Sequence, residues 1–279
     1  MLDFKEIKKY FPLNESRLDR AVLVEYLQYK ILEILFESKF GEKLVFMGGT
    51  SARIIYGNDR FSEDLDLDGY ALKKDDFGLM IKNLALNLKR EAFEVEYRNV
   101  YKGVFRCYLK FLNLLQKFNL TDYETEKILI QLDINQKKGK VKFETRIINK
   151  FDVFAEIRVY PIDMLLSQKI IALLNRKRPK GRDIYDIVFL FSKTQPEWNL
   201  LKKEIGIEGK SELKEKFEIF CEKNDLKKLA RDVEPFLIKS KKIIQVEKFR
   251  DWVKTSYSLV AAKISSIVVN PEAILSKPS

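Results

Sequence analysis

The chain has 279 residues and is 46% hydrophobic, enough for a sizeable core, and at roughly 100–200 residues per domain it should form two domains. Its formal charge of +11, from 52 Lys and Arg against 41 Asp and Glu, suits a polyanionic partner such as RNA without requiring one. Histidine is absent, which excludes Ser-His-Asp and Cys-His nucleophiles and His-ligated metals and leaves the chemistry to carboxylates, Lys, Arg and oxygen-bound metal.

The Met1 end lacks the apolar core of a signal peptide, and no run of ~18 apolar residues occurs, so a cytoplasmic protein without membrane segments is expected. In chain order, residues 16–38 carry apolar positions at helical spacing and should form an amphipathic helix ending near Gly41. KLVFMGG reads as a strand feeding a glycine pair, and TSARIIYG as a short helix with Thr50 as N-cap and Gly57 as its stop. In SEDLDLDGY strict alternation puts Ser62, Asp64, Asp66 and Asp68 on one strand face and Leu65 and Leu67 on the other. A helix over residues 74–92 is followed by strands in FEVEYRNV, GVFRCYLKFL, KILIQLDINQ, VKFETRII and AEIRVYP. From Pro161 onward the helical spacing is continuous through residues 162–178, 182–194, 210–238 and 247–267, and the last residues, ILSKPS, are expected to fray. The fold class is therefore α/β (α+β), a mixed-sheet domain over 1–160 followed by a helical bundle over 161–279. Cys107 and Cys221 lie in apolar periodic segments and read as buried thiols.

Asp64, Asp66 and Asp68 repel one another unless a cation relieves them. DLDLDGYALKKD fits a twelve-residue calcium loop, but its leucines would stand at exposed positions and its twelfth residue is Asp75 rather than Glu. A strand presenting two carboxylates to Mg²⁺ is the better reading, since Mg²⁺ is usually held by one or two carboxylates plus substrate phosphates. Asp133, inside the apolar run KILIQLDINQ, is the best third carboxylate for a two-ion site, although a solvent-facing strand end explains it equally well. Gly48 and Gly49 allow close backbone approach to a phosphate, to which helix N–H groups and the Thr50 and Ser51 hydroxyls can donate. Arg60 can neutralise phosphate or pair with Glu63 or Asp64.

A glycine pair at a strand-to-helix turn followed by a D-x-D strand resembles the nucleotidyltransferase superfamily related to polymerase β. GGTSARIIYGNDRFSEDLDLD is similar to the first motif of the AbiEii/AbiGii toxin family, and SQKIIALLNRKRPKGRDIYDIVFL resembles its later motif, a helical Lys, a basic residue and R-D-x-x-D. The resemblance covers residues 44–190 and implies a mixed-sheet nucleotidyltransferase domain whose helical partner adds Lys, Arg and Asp to the active site. It implies that Gly48, Gly49, Thr50 and Ser51 hold the triphosphate, with Arg60 and Ser62 beside them, and that Asp64 and Asp66 bind Mg²⁺ or Mn²⁺, to which the reading of the strands adds Asp133. Lys169 and Arg176, seven apart on one helix face, would meet the triphosphate, unless they form a solvated basic face. Arg182, Asp183 and Asp186 would hold the lysine or the nucleotide, or Arg182 and Asp186 simply pair along the helix. Asp68 has no assigned family role and is expected to be a solvated strand end, and for Tyr56 and Tyr185 the core is preferred to a base contact.

The implied enzyme transfers a nucleoside monophosphate from an NTP to an acceptor hydroxyl and releases pyrophosphate. The family further implies a toxin countered by an antitoxin, acting for some members on the tRNA 3′ end. Lys202, Lys203, Lys227 and Lys228 offer a surface for such an RNA. A small-molecule nucleotidyltransferase like those that adenylylate aminoglycosides, or a non-catalytic nucleotide-binding protein, are the alternatives; the basic balance disfavours the first, and the intact Gly48, Asp64, Asp66 and Lys169 the second.

Overall fold

The computed structural model describes all residues except 13, 14, 16, 17, 124, 140 and 256–279. Two compact units make up the chain, Met1–Pro161 and Ile162–Ser279. The end of the last expected helix, residues 256–267, and the ILSKPS terminus lie outside the described residues.

Unit 1 runs α1 (Phe4–Lys9), α2 (Asp19–Glu37), β1 (Leu44–Met47), α3 (Gly48–Ile54), β2 (Leu65–Tyr70), α4 (Lys74–Arg90), β3 (Val95–Lys102), β4 (Val104–Phe111), α5 (Leu114–Lys117), β5 (Ile128–Lys137), β6 (Glu144–Lys150) and β7 (Val153–Val159). The strands form one mixed sheet in the order β3-β4-β5-β2-β1-β7-β6. Consecutive strands make the β3/β4 and β6/β7 hairpins, whereas β2 lies parallel to β5 and antiparallel to β1. The alternation in LDLDGY is the reason for this placement. Leu65 and Leu67 are fully buried, as are Leu132 and Ile134 opposite them on β5, while Asp64 and Asp66 are half-buried on the other face. A calcium loop is excluded, because Asp66 and Asp68 lie within a central strand.

Helices α2 and α4 pack against the sheet and each other. The expected amphipathic helix α2 is instead buried almost all round, including Glu25, Gln28 and Lys30. Its charges are paired: Lys30 Nζ lies 2.8 Å from both Glu33 and Glu91, and Glu25 meets Arg53 and Lys150 at 2.8 Å each. A buried charge persists only with such partners. The short α1 and α5 carry too few residues for a periodic signal and were not expected from the sequence.

The described part of unit 2 is helical: α6 (Ile162–Asn175), α7 (Gly181–Phe191), α8 (Trp198–Ile205), α9 (Lys210–Lys223), α10 (Leu226–Val233), α11 (Ile244–Glu247) and α12 (Phe249–Lys254). The run over 210–238 breaks between α9 and α10, where the Asp225 carboxylate accepts from Lys227 and Lys228 N–H and starts a new helix. Gly181 allows α7 to touch α10, since a Cβ there would stand 1.8 Å from the Leu229 carbonyl oxygen. Cys107 and Cys221 are buried free thiols, their pKa values pushed up to about 12 and about 11 by burial.

Candidate active site

The site in unit 1 is built around the glycine pair. Gly48 has φ +81°, a left-handed conformation that side chains resist, and a Cβ there would lie 2.3 Å from Asp66 Oδ2 and 2.8 Å from Asp66 Cβ. Glycine is therefore what lets the Asp66 carboxylate lie directly against the backbone that opens α3. That helix begins at Gly48, with Met47 at its N-cap and no side-chain cap, so Thr50 is not the cap expected from the sequence. Thr50 Oγ1 instead donates to the Asp64 carbonyl oxygen and ties the helix to the start of β2. The first-turn N–H groups, at Gly48 to Ser51, have no partner within their helix. Ser51 is fully buried, and its hydroxyl meets no hydrogen-bond partner. An orphaned hydroxyl beside helix-start donors and a glycine cradle fits a phosphate.

Arg60 is 2% exposed, and its guanidinium packs beneath Gly49, where a Cβ would stand 2.5 Å from Nη2 and 3.1 Å from Ser62 Oγ. Its Nη1 donates to the Phe61 carbonyl oxygen at 2.9 Å. Arg60 thus contributes positive charge under the turn. The turn is anchored in turn by Arg53, bonded to Glu15 at 2.7 Å and Glu25 at 2.8 Å, and by Gln28 Nε2 on the Ser62 carbonyl oxygen at 2.9 Å.

The strand register brings Asp66 opposite Asp133 of β5, and Asp133 opposite Arg106 of β4. The Arg106 fork holds Asp133 at 2.6 Å and 2.7 Å, and Gln131 Nε2 adds a third bond at 3.0 Å. The Asp133 carboxylate raises the Arg106 pKa further above its usual value. Sequence spacing could not find Arg106 and Gln131; only the alternation of GVFRCYLKFL, with the β4/β5 register, puts them on this face. Among the described residues no group of three acidic or thiol side chains is arranged to hold a metal. The donors offered are an alternate-position pair, Asp64 and Asp66, which fits an ion whose other ligands are phosphate oxygens and water.

Asp68 continues the same face but is 1% exposed, not the solvated strand end expected from the sequence, because Tyr160 and the neighbouring strands cover it. Its Oδ2 accepts from Tyr160 at 2.6 Å, the Tyr160 and Tyr70 hydroxyls meet at 2.7 Å, and Lys137 Nζ stands 4.0 Å away. Burial raises the Asp68 pKa above the usual carboxylate range, against the Tyr160 bond and the Lys137 charge. This buried network explains Asp68 as structural. Tyr56 is tied down as well, its hydroxyl donating to the Tyr160 carbonyl oxygen at 2.5 Å.

In unit 2 the residues of the later motif form one cluster on α6 and α7. Lys169 Nζ lies 2.8 Å from Asp186 and 3.3 Å from Asp183, and Arg176 Nη1 lies 2.7 Å from Asp183. Asp183 and Asp186 are 3% and 0% exposed, Lys169 12% and Arg176 42%, so two buried carboxylates fix a lysine whose tip remains partly open. The seven-residue spacing of Lys169 and Arg176 does put both on the face that meets α7. Arg182 stacks on the Phe236 ring, 4.5 Å from its centre, and Tyr185 is 1% exposed in the core. Among the described residues no helix is long and apolar enough to cross a membrane.

No curated protein matches the chain. Solved structures share its fold at low identity. MenT4, a nucleotidyltransferase toxin from Mycobacterium tuberculosis H37Rv, has a TM-score of 0.56 and 14% identity over 99% of this chain and 100% of that one. A putative nucleotidyltransferase from Helicobacter pylori gives 0.55 and 18%, and JHP933 from the same species 0.51 and 16%, each over 88% of this chain and 97% of the other. The family profile described as nucleotidyl transferase AbiEii toxin, type IV TA system, matches residues 30–239, and the chain belongs to that family of nucleotidyltransferase toxins.

Proposed function

We propose that the chain transfers a nucleoside monophosphate from an NTP to an acceptor hydroxyl, most favourably the 3′ end of an RNA such as tRNA. The acceptor oxygen attacks the α-phosphorus, the bond from that phosphorus to the bridging oxygen breaks, pyrophosphate leaves, and the hydroxyl proton passes to solvent or a nearby carboxylate. The observation that carries this reading is the Asp66 carboxylate lying against Gly48, the first of the donors that open α3. Carboxylates for a cation and N–H groups for a phosphate thus share one turn.

Asp64 and Asp66 would hold Mg²⁺ or Mn²⁺, which when bound neutralises charge on the leaving pyrophosphate and lowers the pKa of the acceptor hydroxyl. Gly48, Gly49, Thr50 and Ser51 hold the triphosphate by their backbone N–H groups, with the Ser51 hydroxyl as a further donor, over the buried charge of Arg60 and beside Ser62. Both Asp133 oxygens already accept from the Arg106 fork, so we read it as a positioning residue that orients the Asp66 side of the sheet. Lys169 and Arg176 bind phosphate, and Asp183 and Asp186 keep Lys169 in place.

Toxin family membership implies an antitoxin. The net charge of +11 favours an RNA acceptor over a cationic small molecule. The test is incubation with each labelled NTP, Mg²⁺ and total cellular RNA. Label on RNA, with a yield that falls steeply as salt rises, supports the reading; label on a protein or small molecule, with RNA unchanged, removes the RNA acceptor.

A further inference from the structure

A groove of about 580 Å³ lies entirely within unit 2, and Lys169 is not among the residues lining it. Its floor is apolar, with Leu173 and Ile207 each 1% exposed and Phe220 7% exposed. Its rim carries Arg176, Lys177, Lys216 and Lys223, and none of the described residues lining it is acidic.

Helix termini account for part of this charge. Arg176 and Lys177 follow the C-terminus of α6, and Lys223 ends α9, places where cations are favoured by the helix dipole alone. Lys216 is different. It stands in the middle of α9, seven residues before Lys223 and so on the same face, about 10 Å away along the axis. Glu212, Glu215, Glu218 and Glu222 share that helix, yet none of them lines the groove. The segregation of charge on α9, with the apolar floor between the two lysines, is what a dipole argument leaves unexplained.

We propose that this groove binds a nucleoside monophosphate, with the base on the apolar floor and the phosphate among Lys216, Lys223 and Arg176. The volume falls in the range of small-molecule sites, about 300–1,000 Å³, and a carboxylate-free rim suits an anion. Arg176 is already oriented: one guanidinium nitrogen is held by Asp183 at 2.7 Å, which limits the entropy lost when its other donors meet a phosphate. The groove shares Arg176 with the phosphate contacts proposed above, but it requires neither Gly48–Ser51 nor a divalent cation.

The experiment is calorimetric titration of the full chain with AMP and with GMP in EDTA, which silences metal-dependent binding while leaving this groove intact. Binding should weaken at least tenfold in Lys216→Glu/Lys223→Glu, should weaken less in Lys216→Gln/Lys223→Gln, and should stay within twofold in Lys227→Glu/Lys228→Glu, exposed lysines outside the groove. Unchanged melting of the variants would attribute the loss to the groove. The proposal is overturned if neither mononucleotide binds, if the Lys216/Lys223 variants bind as the wild type does, or if a ten-residue oligouridylate binds there while AMP and GMP do not. Transfer of label from NTP in Mg²⁺ is scored separately, so failure here leaves the proposed activity standing.

Discussion

Gly48→Ala perturbs the contact on which the unit 1 site depends, and Gly57→Ala is its control. Both residues have positive φ, +81° and +76°, so each alanine costs about 1–2 kcal/mol for a left-handed backbone. They differ in space: a Cβ at Gly57 meets nothing within 4 Å, whereas one at Gly48 lies 2.3 Å from Asp66 Oδ2 and 2.8 Å from Asp66 Cβ. Rotating the carboxylate relieves the first contact. The second remains, so β2 or α3 must move by several tenths of an ångström, at the ~1–3 kcal/mol typical of overpacking. Gly48→Ala should therefore melt below Gly57→Ala, by about 2–4 °C for each kcal/mol. Because Asp66 is displaced as well, nucleotide transfer should fall about a hundredfold in Gly48→Ala and little in Gly57→Ala. Thermal melting and initial transfer rates measure both. Equal melting of the two variants, with transfer at the wild-type rate in Gly48→Ala, would refute the reasoning.

Asp64→Asn and Asp66→Asn should each reduce transfer by more than about a hundredfold while melting stays within about 0.5 kcal/mol of wild type, read by rate and melting together. Lys169→Ala removes the ammonium that two buried carboxylates share and should cost about 3–5 kcal/mol, against under about 0.5 for exposed Lys177→Ala, measured by urea unfolding. Arg106→Gln should lower stability by about 1–3 kcal/mol by loosening Asp133, and a melting point equal to wild type would show that the fork contributes nothing. Because burial raises the Asp68 pKa, the folded state holds that proton to higher pH than the unfolded chain, so stability falls as pH rises through the window above 3.8. Asp68→Asn should flatten that decline in melting profiles, and should keep transfer.

Much of unit 1 was legible because its signals are local. The alternation of Asp64, Leu65, Asp66 and Leu67 needed only the period of a strand, and Gly48 and Gly49 only the knowledge that backbone there must come close to something. What stayed hidden depends on register. Arg106 and Asp133 are 27 residues apart, and nothing along the chain says that β4 and β5 align them. Arg60 reads as a phosphate partner or as a mate for Glu63 or Asp64, and only the fold shows its guanidinium buried against Gly49. Glu25 and Lys30 misled in the other direction, because charges inside a buried helix look like a solvent face until their partners arrive from α3, α4 and the strands. In unit 2 the R-D-x-x-D spacing did mark Asp183 and Asp186, but their burial against Lys169 required α6 and α7 to pack together.

Which phosphorus is attacked distinguishes nucleotidyl transfer from phosphoryl transfer. Parallel reactions with NTP labelled at the α-phosphate or the γ-phosphate, in Mg²⁺ with cellular RNA, measure this for the wild type, Asp64→Asn and Asp66→Asn. With nucleotidyl transfer, α-label becomes covalently attached to acceptor, γ-label leaves as pyrophosphate, and both signals vanish in the two variants. Attachment of γ-label, or α-label transfer by Asp66→Asn at the wild-type rate, would contradict it.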